Sequence, residues 1–411
     1  MINGINELKK NIIKKPELLA PAGDIERLKI AFHYGADAVY LGGSLFGLRA
    51  NAINFSLDDI KQSVEYAHSL GKKIYVTVNI ALHSKELQDL ENYLKELDKI
   101  KVDAIIVSDP AVIEMAKKHT SLEIHLSTQA STLNIEAVKF FKKQGVTRIV
   151  LGREANREEI KNIIDETGIE IETFIHGAMC SSISGRCVLS NFFTLRDSNR
   201  GGCSQICRWD FNLLNEKKEK LEGEKPFTFC TKDLSQLKYI KDMINSGIAS
   251  FKIEGRMRSI YYIATIVGVY RKVIDNYCNQ TINYEYNLKD EQILRSCANR
   301  DAVSQFYDGT NDHTCQYYNG REEVSNQDFL GVILEYEKST KLAKVEQRNY
   351  FKIGDKIEIF GPNIEDISFS LKEIFDEDMN PIEIVRHPKQ IVYFKVDKEV
   401  YPNDLIRIKN S

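Results

Sequence analysis

The chain has 411 residues, enough for two or three domains of about 150 residues, or for one barrel of about 250 with an appendage. Hydrophobic residues make up 43% and charged residues 28%, with only 8 Pro and 23 Gly, so a disordered or collagen-like chain is excluded. Fifty-six Lys and Arg against 59 Asp and Glu give a formal charge of -3, which argues against polyanion binding by the whole surface but allows a local basic patch.

No apolar run approaches the roughly 20 residues that span a bilayer. The first residues, MINGINELKKNIIKK, are basic but lack an apolar core and a small-residue cleavage site, so no secretory signal is expected. That places the chain in the cytosol, away from membranes. In that reducing compartment its 8 Cys point to metal binding or catalysis rather than disulfides.

Short runs rich in Val, Ile or Phe recur at Glu17–Ala20, Ala38–Leu41, Ile74–Val78, Ala104–Val107, Ile124–Leu126, Arg148–Leu151, Ile171–Ile175 and Ser250–Ile253. Their length and continuous apolarity predict parallel strands buried on both faces. Amphipathic stretches lie between them. SLDDIKQSVEYAHSLG runs from an N-cap Ser56 to Gly71, and NIEAVKFFKKQG runs from Asn134 to Gly145. Eight such units within about 270 residues predict an α/β chain folded as a (β/α)8 TIM-like barrel. A doubly wound open sheet is the runner-up, but no GxGxxG follows the first strand.

The alternation breaks after the seventh strand. Residues 178–234 carry a Cys-rich insertion with several Arg, the single Trp, and a predicted hairpin of Phe211–Leu214 against Phe227–Cys230 around the tip NEKKEKLEGEKP. Loops after the strands form the active face of such a barrel, so chemistry is expected there. A helix is expected at Ile260–Tyr277. Beyond it the runs FLGVILEY, LAKVEQ, DKIEIFGP, IVYFKVDK and DLIRIK alternate with period 2, predicting a small C-terminal antiparallel β domain. The division is a barrel over 1–278, a connector over 279–326 and the β domain over 327–411, the last a structural or RNA-facing accessory.

Cys180, Cys187, Cys203 and Cys207 form C-x6-C-x15-C-x3-C within 28 residues. Structural zinc usually takes pairs two to four residues apart, which the first gap fits poorly. Four thiolates on one insertion suit an iron–sulfur cube, with zinc or inert thiols as the alternatives. Cys230 ends a predicted strand nearby and competes with Cys207 as fourth ligand. Cys278, Cys297 and Cys315 are scattered and read as structural.

The stretch ETFIHGAMCSSISGRCVLS, Glu172 to Ser190, resembles the signature of the collagenase-like peptidases, peptidase family U32. ELLAPAGDIERLKIAFHYGADAVYLGG, RDSNRGGCSQICRW and SFKIEGRMRS extend the resemblance over about the whole chain. The two-part layout is similar to the members that hydroxylate the wobble uridine of tRNA. That resemblance implies a 4Fe–4S cluster, prephenate as co-substrate and hydroxyl source in place of dioxygen, 5-hydroxyuridine as product and tRNA as partner. Relatives acting on other RNA or on small aromatic substrates, and peptidase action itself, are the alternatives. A partner subunit or homo-oligomer is compatible with it. Some members carry a cluster Cys just after a KDL motif, where this chain has Ser235, and this keeps Cys207 and Cys230 both open.

With a dicarboxylate and a polyphosphate implied as ligands, Arg186, Arg196, Arg200 and Arg208 around the cysteines read as substrate-binding, since Arg pairs both in a bidentate manner; a solvated loop is the plain alternative. Glu17, His125, Gln129, Arg153, Glu154, His176, Lys252, Glu254 and Arg256 lie in or just beyond strands, where the barrel's active face is expected. His176, Lys252 and Glu254 are taken as catalytic, with His176 the acid/base candidate or a buried structural His. Arg153 and Arg256 are taken to hold the dicarboxylate, with His125 and Gln129 beside them. Lys252, Glu254 and Arg256 fall at period 2, so a buried salt-bridge layer is their bland reading. A protease lacks support from any HExxH or GxSxG, though Cys180 with His176 as a Cys–His pair remains open. A non-catalytic RNA-binding protein would need no such Cys group.

Overall fold

The computed structural model describes residues 14–48, 54–221, 226–279, 287–298, 300–309, 311–317 and 329–408. Part of the N-terminal segment, part of the hairpin tip and the boundary at 326/327 lie outside the described residues. Each of the eight expected runs is a strand: β1 Glu17–Pro21, β2 Ala38–Gly42, β3 Lys73–Val78, β4 Ala104–Val107, β5 Glu123–Leu126, β6 Arg148–Val150, β7 Glu170–Gly177 and, after the insertion, β9 Ser250–Ile253. Neighbours pair in parallel from β1 to β7, then β7 pairs with β9 and β9 with β1, so the barrel closes and the open-sheet alternative is excluded.

Helices α1 Ile25–His33, α2 Leu57–Ser69, α3 Leu87–Ile100, α4 Pro110–His119, α5 Ile135–Lys143 and α6 Arg157–Thr167 fill the crossovers. Ser56 caps α2 through a capping box and Asn134 caps α5, while Gly71 and Gly145 follow the helix ends at positive φ, as their residue types require. The outward strand residues, such as Leu18, Ile105, Ile149 and Ile253, join Leu28, Ile60, Leu94 and Ile263 of the helices in one core. Inside the barrel a smaller apolar layer of Leu19, Ala38, Tyr40, Tyr75, Ala104 and Ile106 separates its two ends.

Among its described residues the insertion holds one α-helix, the six-residue α7 Leu189–Thr194, and two 3-10 turns at Ser198–Arg200 and Ile206–Arg208, before a short strand β8 Asp233–Ser235 and helix α8 Ile240–Asn245. β8 runs antiparallel to the end of β7 and carries β10, Ala302–Val303, on its other edge, outside the barrel. Two- and three-residue strands show no periodicity, which is why the sequence does not announce them. An antiparallel hairpin is present, but in another register than expected: Phe211 bridges Phe227 and Leu214 bridges Lys220, a residue of the expected tip, and Cys230 takes part in neither bridge.

Helix α9, Ile260–Asn279, packs into the barrel core along most of its length. In the stretch expected as connector, α10 Leu288–Cys297 adds Leu294 and Cys297 to that core. The five alternating C-terminal runs are all strands of one antiparallel sheet with its own core around Ile333, Val345, Ile357 and Phe394. This domain is seated on α1 and α9: Tyr261 stacks on Phe329 at 5.3 Å, and the Tyr34 hydroxyl donates to the Phe360 carbonyl at 3.1 Å. No helix among the described residues is long and apolar enough to cross a membrane.

Candidate active site at the barrel mouth

The insertion folds back over the carboxyl ends of the strands and encloses a cavity of about 220 Å³. Two signature glycines make this possible. Gly177 leaves β7 at φ +115, where a Cβ would lie 2.5 Å from the Glu254 carbonyl oxygen, and Gly185, at φ +76, would meet the Gln129 carbonyl oxygen at 2.1 Å. The rest of the loop is tied down by hydrogen bonds. Ser198 Oγ and Asn199 Nδ2 donate to the Cys187 carbonyl, Thr228 Oγ1 to that of Cys207 and Thr231 Oγ1 to that of Met179.

Cys180, Cys187, Cys203 and Cys207 all line this cavity, facing Gln129, Arg153, Arg208, Lys252, Glu254 and Arg256 across it. Burial raises the thiol pKa of Cys180 and of Cys207 above the usual value, and the neighbouring thiols add to it, so these sulfurs need cationic partners to ionise. Among the described residues no three His, Cys, Asp or Glu side chains form a site for a single metal ion. Cys230 is buried and does not line the cavity; its thiol lies 3.5 Å from the Thr231 carbonyl.

The cations at the mouth differ in how they are held. Lys252 Nζ lies 2.7 Å from Glu172 Oε1 below it and 4.5 Å from the Tyr40 ring. The Arg256 guanidinium donates to Thr77 Oγ1 and Asn54 Oδ1. Arg153 has neither a hydrogen bond nor an ion pair among the described residues: its guanidinium rests on the Phe174 ring at 3.8 Å and its Nε is buried without a partner. Arg208 donates to Gln205 Oε1 at 2.7 Å, and burial together with nearby Arg300 lowers its pKa. Glu254, which accepts from the Tyr40 hydroxyl at 3.2 Å, is the one carboxylate on the cavity wall among the described residues.

Several expected site residues are placed elsewhere. His176 is not at the mouth. The pairing of β7 with β9 shifts register between Phe174 and His176, so the inward series Glu172, Phe174 does not continue, and His176 turns outward to sit 3.3 Å from the Tyr270 hydroxyl of α9. Burial there, with Arg258 nearby, pushes its pKa down to about 3, leaving a neutral ring. A Cys180–His176 pair is thereby removed, because only Cys180 faces the cavity. His125 is buried in the barrel interior beside Tyr75 with its Nε2 3.6 Å from Glu123, and Glu17 lies at the closed end. Arg200 is bound in a fork to Glu86, whose carboxyl it pulls down to about 2, and this clasp fastens the insertion to the loop after β3. Arg186 and Arg196 are exposed and off the cavity wall, and Glu154 is half-buried, also off that wall, with Oε2 buried without a hydrogen-bond partner.

The wall also holds Tyr40, Thr77, Asn79, Ser127 and Phe174, which sequence reasoning missed. Thr77, Asn79 and Ser127 are polar residues at or just past the ends of apolar strands, and that position was the available signal.

Comparison with known proteins gives a consistent result. Residues 23–316 match the family described as peptidase family U32, and residues 325–407 match its C-terminal domain. The chain is 48% identical over 99% of its length to the tRNA hydroxylation protein P1 of Bacillus subtilis, covering 97% of that protein. It is 32% identical over 96% of its length to the tRNA hydroxylation protein P of Escherichia coli, covering 97% of that chain. A 23S rRNA 5-hydroxycytidine synthase of Escherichia coli is 41% identical over 63% of this chain and 39% of its own.

Proposed function

The chain belongs to peptidase family U32, and on that premise we propose that it hydroxylates the wobble uridine of tRNA at C5, with prephenate rather than dioxygen as the hydroxyl source. The names of the similar proteins support RNA hydroxylation, and the whole-length match to tRNA hydroxylation proteins favours tRNA over ribosomal RNA. The observation that carries the reading is one cavity lined by four thiols and by Arg153, a guanidinium with no anion of its own.

Cys180, Cys187, Cys203 and Cys207 would hold a 4Fe–4S cluster. Their fit rests on the donor set: four soft thiol ligands that all line one cavity, the kind of ligand such a cluster takes. When bound, such a cluster supplies one-electron redox chemistry beside the target ring. The protein's own groups do the rest. Arg153 and Arg256 bind the two carboxylates of prephenate, and Lys252, fixed by Glu172, adds positive potential beneath them. Glu254, the one carboxylate on the wall among the described residues, can hold a proton beside a ring bound in the cavity. The covering insertion excludes bulk water, which strengthens each of these interactions.

Mass spectrometry of tRNA digests tests the reading. Deleting the gene in a bacterial strain without a paralogue is expected to remove 5-hydroxyuridine and nucleosides derived from it. Unchanged tRNA with a missing ribosomal hydroxycytidine would move the activity to ribosomal RNA, and label from dioxygen in the product in vitro would reject prephenate as the source.

A further inference from the structure

The insertion presents an apolar surface to solvent that neither the core nor the cavity uses. Leu195 is 94% exposed, Phe192 80% and Trp209, the single tryptophan, 47%; Phe193 and Phe229 are exposed as well. They lie on neighbouring segments of the insertion. Phe193, Phe211 and Phe229 run edge to face with ring centroids 6.1 and 5.4 Å apart, and α7 packs on the turn Ile206–Arg208 that leads into Trp209. Apolar side chains exposed to this degree and gathered together mark a binding surface.

Two features of the patch identify its occupant. The first is charge: residues 180–221 hold seven Lys and Arg against four Asp and Glu, a local +3 in a chain of net -3, with Arg196 next to Leu195 and Arg208 next to Trp209. Aromatic faces interleaved with cations suit unpaired nucleotides, whose bases stack while their phosphates pair. The second is continuity. Cys207 and Arg208 line the cavity and Trp209 follows them directly, so a nucleotide turned into the cavity must lay its neighbours across this rim.

We propose that the exposed row Phe192, Phe193, Leu195, Trp209 and Phe229 is a stacking platform for the unpaired bases that flank the target nucleotide in a single-stranded loop. This rests on the RNA reading above and adds how the loop is gripped: by shape and stacking on the insertion, with little demand on the sequence of the flanking bases.

The single tryptophan supplies a direct readout. Titrating a short synthetic RNA hairpin with a uridine in its loop into the full chain is expected to quench Trp209 fluorescence, whereas heparin, a polyanion without bases, binds without quenching. Phe192→Ala and Leu195→Ala are both at exposed positions and harmless to folding; the first, which removes a ring, is expected to weaken hairpin binding by roughly fivefold to a hundredfold, the span of about 1–3 kcal/mol per stacked base, and the second, which removes apolar contact but no ring, by less. Their salt dependence should match that of the unaltered protein, because no phosphate contact is lost. If the hairpin binds at full strength to both variants with Trp209 unquenched, the platform is wrong while the RNA reading stands. If the hairpin fails to bind the unaltered protein, the RNA reading falls and the platform with it. If Leu195→Asp instead splits a dimer in sedimentation and leaves RNA binding intact, the row is an interface between copies of the chain, which also overturns the proposal.

Discussion

At the closed end of the barrel, Arg148 reaches Glu17 at 2.5 Å, Glu170 at 2.8 Å and Glu172 at 3.5 Å, while Tyr75 and Ser250 donate to the same Glu17. At the mouth, one lining carboxylate faces Arg153, Arg208, Lys252 and Arg256. Both ends are built from charged residues on strands of one barrel, so residue type does not distinguish them. Partnering does. Charges at the closed end satisfy one another, and buried charges so arranged hold the strands in register. At the mouth Lys252 is held by Glu172, whereas Arg153 has neither a hydrogen bond nor an ion pair among the described residues, and a cation so placed on a cavity wall suits an anionic ligand.

The comparison breaks most sharply at the cysteines. Replacing Cys180, Cys187, Cys203 or Cys207 by Ala is expected to abolish iron and sulfide binding in protein purified without oxygen, together with its brown colour. Cys230→Ala, off the cavity wall, should keep both. Colour lost with Cys230→Ala and kept with Cys207→Ala would exchange the two roles.

Next in size is the closed end. Glu172→Gln leaves the buried Lys252 without its carboxylate, while Arg148 keeps Glu17 and Glu170, and one uncompensated buried charge of this kind costs about 3–5 kcal/mol. Denaturant unfolding should show that loss. Burial alone would raise the Glu172 carboxyl, but Lys252 and Arg148 outweigh it and the net shift is downward. Its contribution is therefore complete above the ordinary carboxylate range and fades as pH falls through the lowered folded value. A stability unchanged in Glu172→Gln would mean that the closed end is not held by its charges.

Arg153→Ala is the counterpart at the mouth. Removing a guanidinium that has no hydrogen bond or ion pair among the described residues, and only the Phe174 ring as a partner, should cost little stability. Prephenate binding should weaken by the worth of a charged hydrogen bond, about 1.5–3 kcal/mol, or roughly tenfold to a hundredfold in Kd by calorimetry. The reverse pattern, lost stability with intact binding, would place Arg153 among the structural charges.

The closed barrel was legible because its signals are local. Apolar runs, a cap at Ser56, a cap at Asn134 and glycines at the helix ends each act within a few residues. The cysteines were legible as a group because they lie within 28 residues on one insertion. Arg153, Lys252, Glu254 and Arg256 could be found from strand ends alone, and the cavity gathers all four. Arg200 could not be read, because its partner Glu86 is 114 positions away and only the fold brings them together. Leaving Cys207 and Cys230 both open had the same cause: the choice depends on which sulfur turns to the cavity. His176 failed for another reason. Period 2 from Glu172 and Phe174 points it inward, and a register shift of β7 against β9 cancels that inference without leaving a mark in the sequence.

That displacement of His176 is itself testable, and its effect is the smallest of the four. The ring is buried against Tyr262 and Tyr270, and its folded pKa is pushed down to about 3, against about 6.5 when the chain is unfolded. Because the folded value is the lower one, the unfolded chain takes up a proton first as pH falls. Stability is therefore complete above about pH 6.5 and declines steadily below it, towards about pH 3. Between pH 6 and pH 5 this one group should remove about 1 kcal/mol. His176→Gln should flatten that part of the profile by about one proton when unfolding is followed in denaturant at several pH values. A histidine open to the cavity would titrate near its ordinary value in both states and give no such slope. An unaltered slope in His176→Gln would mean that this ring is not the group whose folded pKa is held down by burial.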